Sequence, residues 1–421
     1  MPMTLRVEGH RPLNGVYRPS GNANAAQALL AAALLTEAPV ILRNMPRTRS
    51  TQAMVEIAGQ LGAAQNWIDD ALHIHGAQIT RRILSQADSD ASVGALLFVA
   101  PMLIRRQHAR LEIDFPLNRI RTHLEALRDL GIDIVSGSEA VEFKATGWDC
   151  KDIVLTQASV TATALVMMLA TRLGRQTTIH NAACEPHIQE LGYLLNTMGA
   201  HVEGIGSNVL RVNGVNDLGG ADVTVGPDHV EAASIAALAA MSGGRVQIEG
   251  IRGSDLRVIA KIFWRLGITL DIDDTAMFVP KHDTLIVSNR EEDVDSSIET
   301  APWPGFPSDL VAVATVIATQ ARGTSLIHEK MYSNHLLFVD KLKAMGAQIV
   351  LCDPHRAIVV GPTPLRGIYM DSPDVRAGLG MLTAALIAEG ESVIDNAQAI
   401  ERTFEGVLGK LQALNAKISV E

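Results

Sequence analysis

Two hydrophobic patterns alternate along the chain. The first is an almost wholly apolar run of helical length that leads into a β-branched strand. It reads ALLAAALLTEAPVILRN, GALLFVAPMLIRRQHARLEI, TALVMMLATRLGRQTTIHN, AASIAALAAMSGGRVQIEG, VAVATVIATQARGTSLIHE and GMLTAALIAEGESVIDN in its successive occurrences. A helix that is apolar all round must be buried on every side. The second pattern is an amphipathic helix that ends in Leu-Gly or Met-Gly and enters a short β-like run, as in RDLGIDIVSG and KAMGAQIVLC. The residues marking these helix ends are Gly62, Gly131, Gly199, Gly267, Gly346 and Asn415. They recur about every 70 residues, the signature of a repeated structural unit. Glycine or asparagine is expected just past a helix end, where φ is positive.

The pattern therefore predicts six copies of one α/β unit, each with a buried helix, an amphipathic helix and several strands. Three copies around an axis would bring three buried helices together, with sheets outside them. Six copies would make a two-lobed α/β protein, with three repeats per lobe. The first lobe is expected over residues 20–228, and the second over residues 1–19 plus 229–421. In this arrangement the segment Thr4 to Pro19, which precedes the first copy, completes the second lobe. The wider gap before Gly346 holds the acidic stretch NREEDVDSSIET, expected to form a surface loop.

With 421 residues, the chain is longer than one core usually serves. Apolar residues make up 47% and charged residues 19%, which excludes a disordered chain. The net charge of −10 gives no general attraction for nucleic acid or an anionic membrane. The N-terminal stretch lacks the apolar core of a signal peptide, and no apolar run is long enough to span a bilayer. Cys150, Cys184 and Cys352 are far apart, so neither a disulfide framework nor a zinc site is expected. A cytoplasmic location fits these features. The oligomeric state stays open.

The buried helices begin in small and polar residues: Ser20 to Asn24, Ala91-Ser92, Ser159 to Thr161, Pro227-Asp228, Pro307 to Asp309 and Ser372 to Asp374. Capping alone accounts for each of these. Arg376 falls in a first helical turn, and Arg402 is expected near the start of the last helix. A cation there opposes the helix dipole by about 0.3–1 kcal/mol, unless an anion sits between it and the helix start. A solvated arginine, or one paired with Asp374 or Glu405, is the alternative.

The segments SGNANAA, NAACEP, APWPGFPSDL, DVRAG and IERTFE, together with the sixfold repeat, resemble the enolpyruvyl transferases of cell-wall synthesis. The resemblance runs along essentially the whole chain. It implies an inside-out α/β barrel in each lobe and no metal or organic cofactor. It also implies transfer of the enolpyruvyl group of phosphoenolpyruvate to the 3-hydroxyl of a UDP-sugar, UDP-N-acetylglucosamine. Both partners are small molecules. Asp309 matches the aspartate that handles the proton of the attacking hydroxyl. Asn24 matches a substrate-binding asparagine. Ser159 and Val160 match the helix start that receives the nucleotide phosphates, and Met331 matches a backbone position beside the substrate. Arg376 and Arg402 match arginines that hold carboxylate and phosphate.

Other family positions are replaced. A lysine is Ala23, an arginine is Asp90, a second arginine is Asn118, and Glu-Asn-Arg is Ser333-Asn334-His335. The Gly-Gly-Cys loop gives way to the shorter EIDFPLNRIRTH. Arg119 and Arg121, adjacent to Asn118, are the candidate substitutes for the lost cations. A charge-assisted hydrogen bond contributes about 1.5–3 kcal/mol, so three unreplaced cations would weaken anion binding by several powers of ten. A transferase with another acceptor, or a non-catalytic homologue that binds a ligand or a partner enzyme and regulates it, are the competing readings.

Overall fold

The computed structural model describes residues 3–288, 297–371 and 377–421. Most of the acidic stretch, residues 289–296, lies outside the described residues, as does the Ser372 to Asp374 helix start with Arg376. The chain divides into two compact units: a contiguous one, Gly21–Gly226, and a composite one, Met1–Ser20 with Pro227–Glu421.

In the contiguous unit, the apolar segments form helices Ala23–Ala33, Val99–Arg106 and Val160–Leu173, which pack on one another. In the composite unit the equivalent helices are His229–Met241, Val311–Gln320 and Gly378–Ile387, again in mutual contact. Every residue from Ala162 to Thr171 is buried, as is every residue from His229 to Ala240. The hydroxyls trapped inside are satisfied within their own helices: Thr171 Oγ1 donates to the Met168 carbonyl at 2.6 Å, and Thr315 Oγ1 to that of Val311 at 2.7 Å. Close approach of two buried helices requires Gly380. A Cβ there would stand 2.6 Å from the Ala312 Cβ.

The six amphipathic segments form Arg49–Leu61, Arg121–Leu130, Pro186–Thr197, Arg257–Arg265, Val339–Ala344 and Val407–Ala413. All six marker residues past these helices have positive φ, from 81° at Asn415 to 111° at Gly62. The repeat is therefore written in backbone conformation as well as in sequence.

Six sheets surround the helices, three in each unit. In each, the strand after the buried helix pairs antiparallel with one neighbour and parallel with a strand on its other side. For example, Gly174–His180 lies parallel to Trp148–Val154 and antiparallel to Val209–Asn213. Ala221–Thr224, after the third copy, pairs parallel with Pro39–Arg43 of the first and links the last copy to the first. In the composite unit the N-terminal segment supplies two strands. Leu5–Glu8 lies between Glu391–Ile394 and Lys417–Val420, and Asn14–Tyr17 pairs with Arg245–Glu249. Each unit is an inside-out α/β barrel, with helices at its centre and sheets around them.

Two local expectations change. The second buried helix does not begin at Ala91-Ser92. Ser85 caps a short helix, Gln86–Ala91, and Ser92 then opens the 3-10 segment Val93–Phe98 that runs into Val99–Arg106. The Ser85–Asp88 capping box intercepts the chain earlier because it satisfies two otherwise unpaired backbone donors. Arg402 stands ahead of the last helix rather than in its first turn. It follows the single turn Gln398–Glu401 and stands before Gly406, whose φ of 58° separates it from the last helix, Val407–Ala413.

Candidate active site

The composite unit gathers helix starts and one buried loop. Asp228 caps His229–Met241 and accepts from the Val230 and Glu231 amides at 2.9 Å each. It is buried, and burial beside Glu231 and Asp309 pushes its carboxyl up to about 7 despite those two bonds. Asp309 itself lies in the 3-10 turn Ser308–Leu310 that opens Val311–Gln320, with its side chain exposed. An exposed carboxylate in a first helical turn is stabilised by the dipole and is open to a substrate. His229 meets Trp303 edge-on, with ring centroids 5.4 Å apart.

Beside this turn lies Glu329, at 0% exposure. Its Oε1 accepts from Thr300 Oγ1 at 2.9 Å and from the amides of Met331 and Tyr332 at 2.7 and 3.1 Å. Its Oε2 accepts from Ser308 Oγ at 2.6 Å. Burial alone would raise this carboxyl, but the donors around it, His335, Ser308, the Met331 amide and Thr300, hold it at about 2. Met331, expected beside substrate through its backbone, is thereby anchored. His335, in the place of the family arginine, is half-buried against this group: its Nδ1 lies 2.9 Å from Ser308 Oγ, and its ring stacks on Tyr332.

A third feature of this unit was not legible as chemistry in the sequence. Glu231, fully buried, accepts from Tyr17 Oη at 2.6 Å, the Ser20 amide at 3.1 Å and Lys410 Nζ at 2.9 Å. Lys410 also donates to Ser20 Oγ at 2.6 Å. Burial and the neighbouring Glu231 carboxylate push the Tyr17 phenol upward, which keeps it a neutral donor. The charges come from helices far apart in sequence, so no local spacing announces them. Arg402 is half-buried after its short helix.

In the contiguous unit, Asn22 caps Ala23–Ala33 by accepting from the Ala25 amide, and Asn24 is exposed in the first turn. Ser159 caps Val160–Leu173 by accepting from the Ala162 amide at 3.3 Å. Ser159 and Val160 are half-buried, and the other amides of that first turn have no partner within the helix, a natural anion site. His123 Nε2 lies 2.7 Å from Thr161 Oγ1 in the same turn. Burial pushes the His123 imidazole down to about 4, so it is neutral. Arg119 and Arg121 sit at the start of the neighbouring helix, both exposed; Arg121 pairs with Glu125 at 2.6 Å. Asp90 is exposed in Gln86–Ala91, and Ala23 is buried. The connection from strand His108–Glu112 to the 3-10 turn Leu117–Ile120 is only Ile113 to Pro116. Among the described residues, no helix is long and apolar enough to cross a membrane.

The same pattern is found in known proteins. Residues 7–411 match the family model of EPSP synthase (3-phosphoshikimate 1-carboxyvinyltransferase). The chain is 42% identical to the UDP-N-acetylglucosamine 1-carboxyvinyltransferase of Bradyrhizobium diazoefficiens, over 99% of this chain and 98% of that protein. It is 40% identical to the protein of the same name from Treponema denticola, with the same coverage. Among solved structures, the enolpyruvyl transferase NikO from Streptomyces tendae superposes with a TM-score of 0.89 at 21% identity, covering 100% of this chain and 99% of that one. An EPSP synthase from Acinetobacter baumannii superposes at 0.77 with 15% identity, covering both chains fully. The two solved structures bear on the fold alone, whereas the family model and the near-full-length relatives decide descent: this chain belongs to the EPSP synthase family of carboxyvinyl transferases.

Proposed function

We propose that the protein transfers the enolpyruvyl group of phosphoenolpyruvate to the 3-hydroxyl of UDP-N-acetylglucosamine, a step of peptidoglycan precursor synthesis in the cytoplasm. The observation that carries this reading is Asp309, an exposed carboxylate in the turn that opens Val311–Gln320. Asp309 takes the proton of the acceptor hydroxyl as its oxygen bonds to C2 of phosphoenolpyruvate, while C3 gains a proton. Loss of phosphate and of a C3 proton from the tetrahedral adduct then yields the enol ether. Ser159, Val160 and Asn24 bind substrate, the first two through the open amides of their helix start. Met331 holds the acceptor through its backbone. Arg376 and Arg402 clamp carboxylate and phosphate.

Arg119 supplies a cation at no cost in broken pairs. Arg121 must first leave Glu125, a small cost for a solvent-exposed pair. A second reading, a different acceptor, is favoured by exposed Asp90 and by the four-residue connection at Ile113 to Pro116. Phosphate release from phosphoenolpyruvate with UDP-N-acetylglucosamine tests the first reading. Asp309→Ala is expected to lower kcat by about 10²–10⁴-fold, the usual worth of a positioned base. Saturable nucleotide binding without phosphate release supports the second reading and overturns the first.

A further inference from the structure

Glu329 accepts four hydrogen bonds, and it touches both segments that the proposed chemistry uses. One oxygen holds Ser308, the residue before Asp309; the other holds the Met331 and Tyr332 amides and Thr300 Oγ1. Thr300 Oγ1 in turn accepts from the Lys330 amide at 2.9 Å. A hydroxyl has one proton. Ser308 spends it on the ionised Glu329, so it must accept from His335 Nδ1, which puts the imidazole proton on that nitrogen. The side chain at the family's arginine position is thus turned into the protein, at 9% exposure, rather than offered to an anion.

We infer that Glu329 is a positioning residue that sets the Asp309 turn and the Met331 backbone at one fixed separation. The pair it aligns is the proton acceptor and the peptide that holds the acceptor sugar. His335 completes the clamp by locking Ser308 in its donating orientation. The inference deepens the transferase reading and rests on it. Its physical basis is that misplacing a reacting group by about 1 Å can cost 10²-fold in rate. A single buried carboxylate bonded on both sides leaves little freedom for such a shift.

The test uses the full chain with Glu329→Gln, Glu329→Ala and Ser308→Ala. Glu329→Gln keeps one acceptor oxygen and is expected to lower kcat about tenfold, with Glu329→Ala lower still, near a hundredfold. The KM for phosphoenolpyruvate should stay within about twofold in both, because positioning acts on the reacting geometry and not on uniform binding. Ser308→Ala cuts only the Asp309 side of the clamp and covers the case in which a Glu329 variant does not fold. Hydrogen exchange supplies an independent readout. The Met331 and Tyr332 amides should exchange faster in the Glu329 variants, while strand Ala321–His328 stays protected. Wild-type kcat in Glu329→Ala, or unchanged exchange at Met331 and Tyr332, overturns the inference. If the wild-type protein releases no phosphate with UDP-N-acetylglucosamine, the functional reading falls, and the exchange result alone then decides whether Glu329 is the clamp.

Discussion

Lys410→Met puts the buried charge cluster under the sharpest test. Glu231 is fully buried and Lys410 Nζ stands 2.9 Å away, the cation paired with it among the described residues. Without the ammonium, the carboxylate keeps two neutral donors, Tyr17 Oη and the Ser20 amide. Removing one member of a buried pair costs about 3–5 kcal/mol, because the other charge stays desolvated. Glu231→Gln should cost less, about 1–2 kcal/mol, since the Lys410 side chain is 28% exposed and its head can turn to water. The double variant has no stranded charge, so it should be more stable than Lys410→Met alone. A coupling energy of about 2 kcal/mol or more is expected. Calorimetry on the full chain reads this as a drop of roughly 2–4 °C per kcal/mol in the transition of the composite unit. Additivity of the two single effects within about 0.5 kcal/mol would refute the reasoning. So would a Lys410→Met variant as stable as wild type.

Two further outcomes follow from the packing and the buried titrating groups. Gly380→Val should destabilise by about 1–3 kcal/mol through overpacking, because its side chain enters the space held by Ala312, and a denaturant midpoint measures it. Acid should destabilise the protein in two stages. The His123 and His229 imidazoles both lie below their ordinary value through burial, so their contribution is complete above about pH 6.5 and is lost as pH falls toward 4; the full swing is about 3 kcal/mol for each, and His123→Gln should remove its own share of that stage. The depressed Glu329 carboxyl contributes fully above about pH 4.5, and that contribution is lost as pH falls through 2; in Glu329→Gln this lower stage of the stability–pH curve should be smaller.

The repeat, its helices and the residues that end them were legible in the sequence because each rests on local physics. An apolar helix needs no distant information to declare that it must be buried, and a left-handed helix end selects glycine at Gly62, Gly131, Gly199, Gly267 and Gly346, or asparagine at Asn415. Asp309 was legible as a residue type at a helix-opening turn. What only the tertiary structure decided is which polar side chains meet. Glu329 follows a strand and looks like any surface acid, yet Thr300, Ser308, Met331 and Tyr332 converge on it. Glu231 reads as a first-turn acid, and only the return of the last helix brings Lys410 to it. His335 replaces the family arginine in sequence, and only the fold shows its ring set against Ser308 and Tyr332. Secondary structure follows from neighbours in sequence, whereas the burial and aim of a charge depend on partners that folding brings from other elements, 21 residues away for Ser308 on Glu329 and 179 for Lys410 on Glu231.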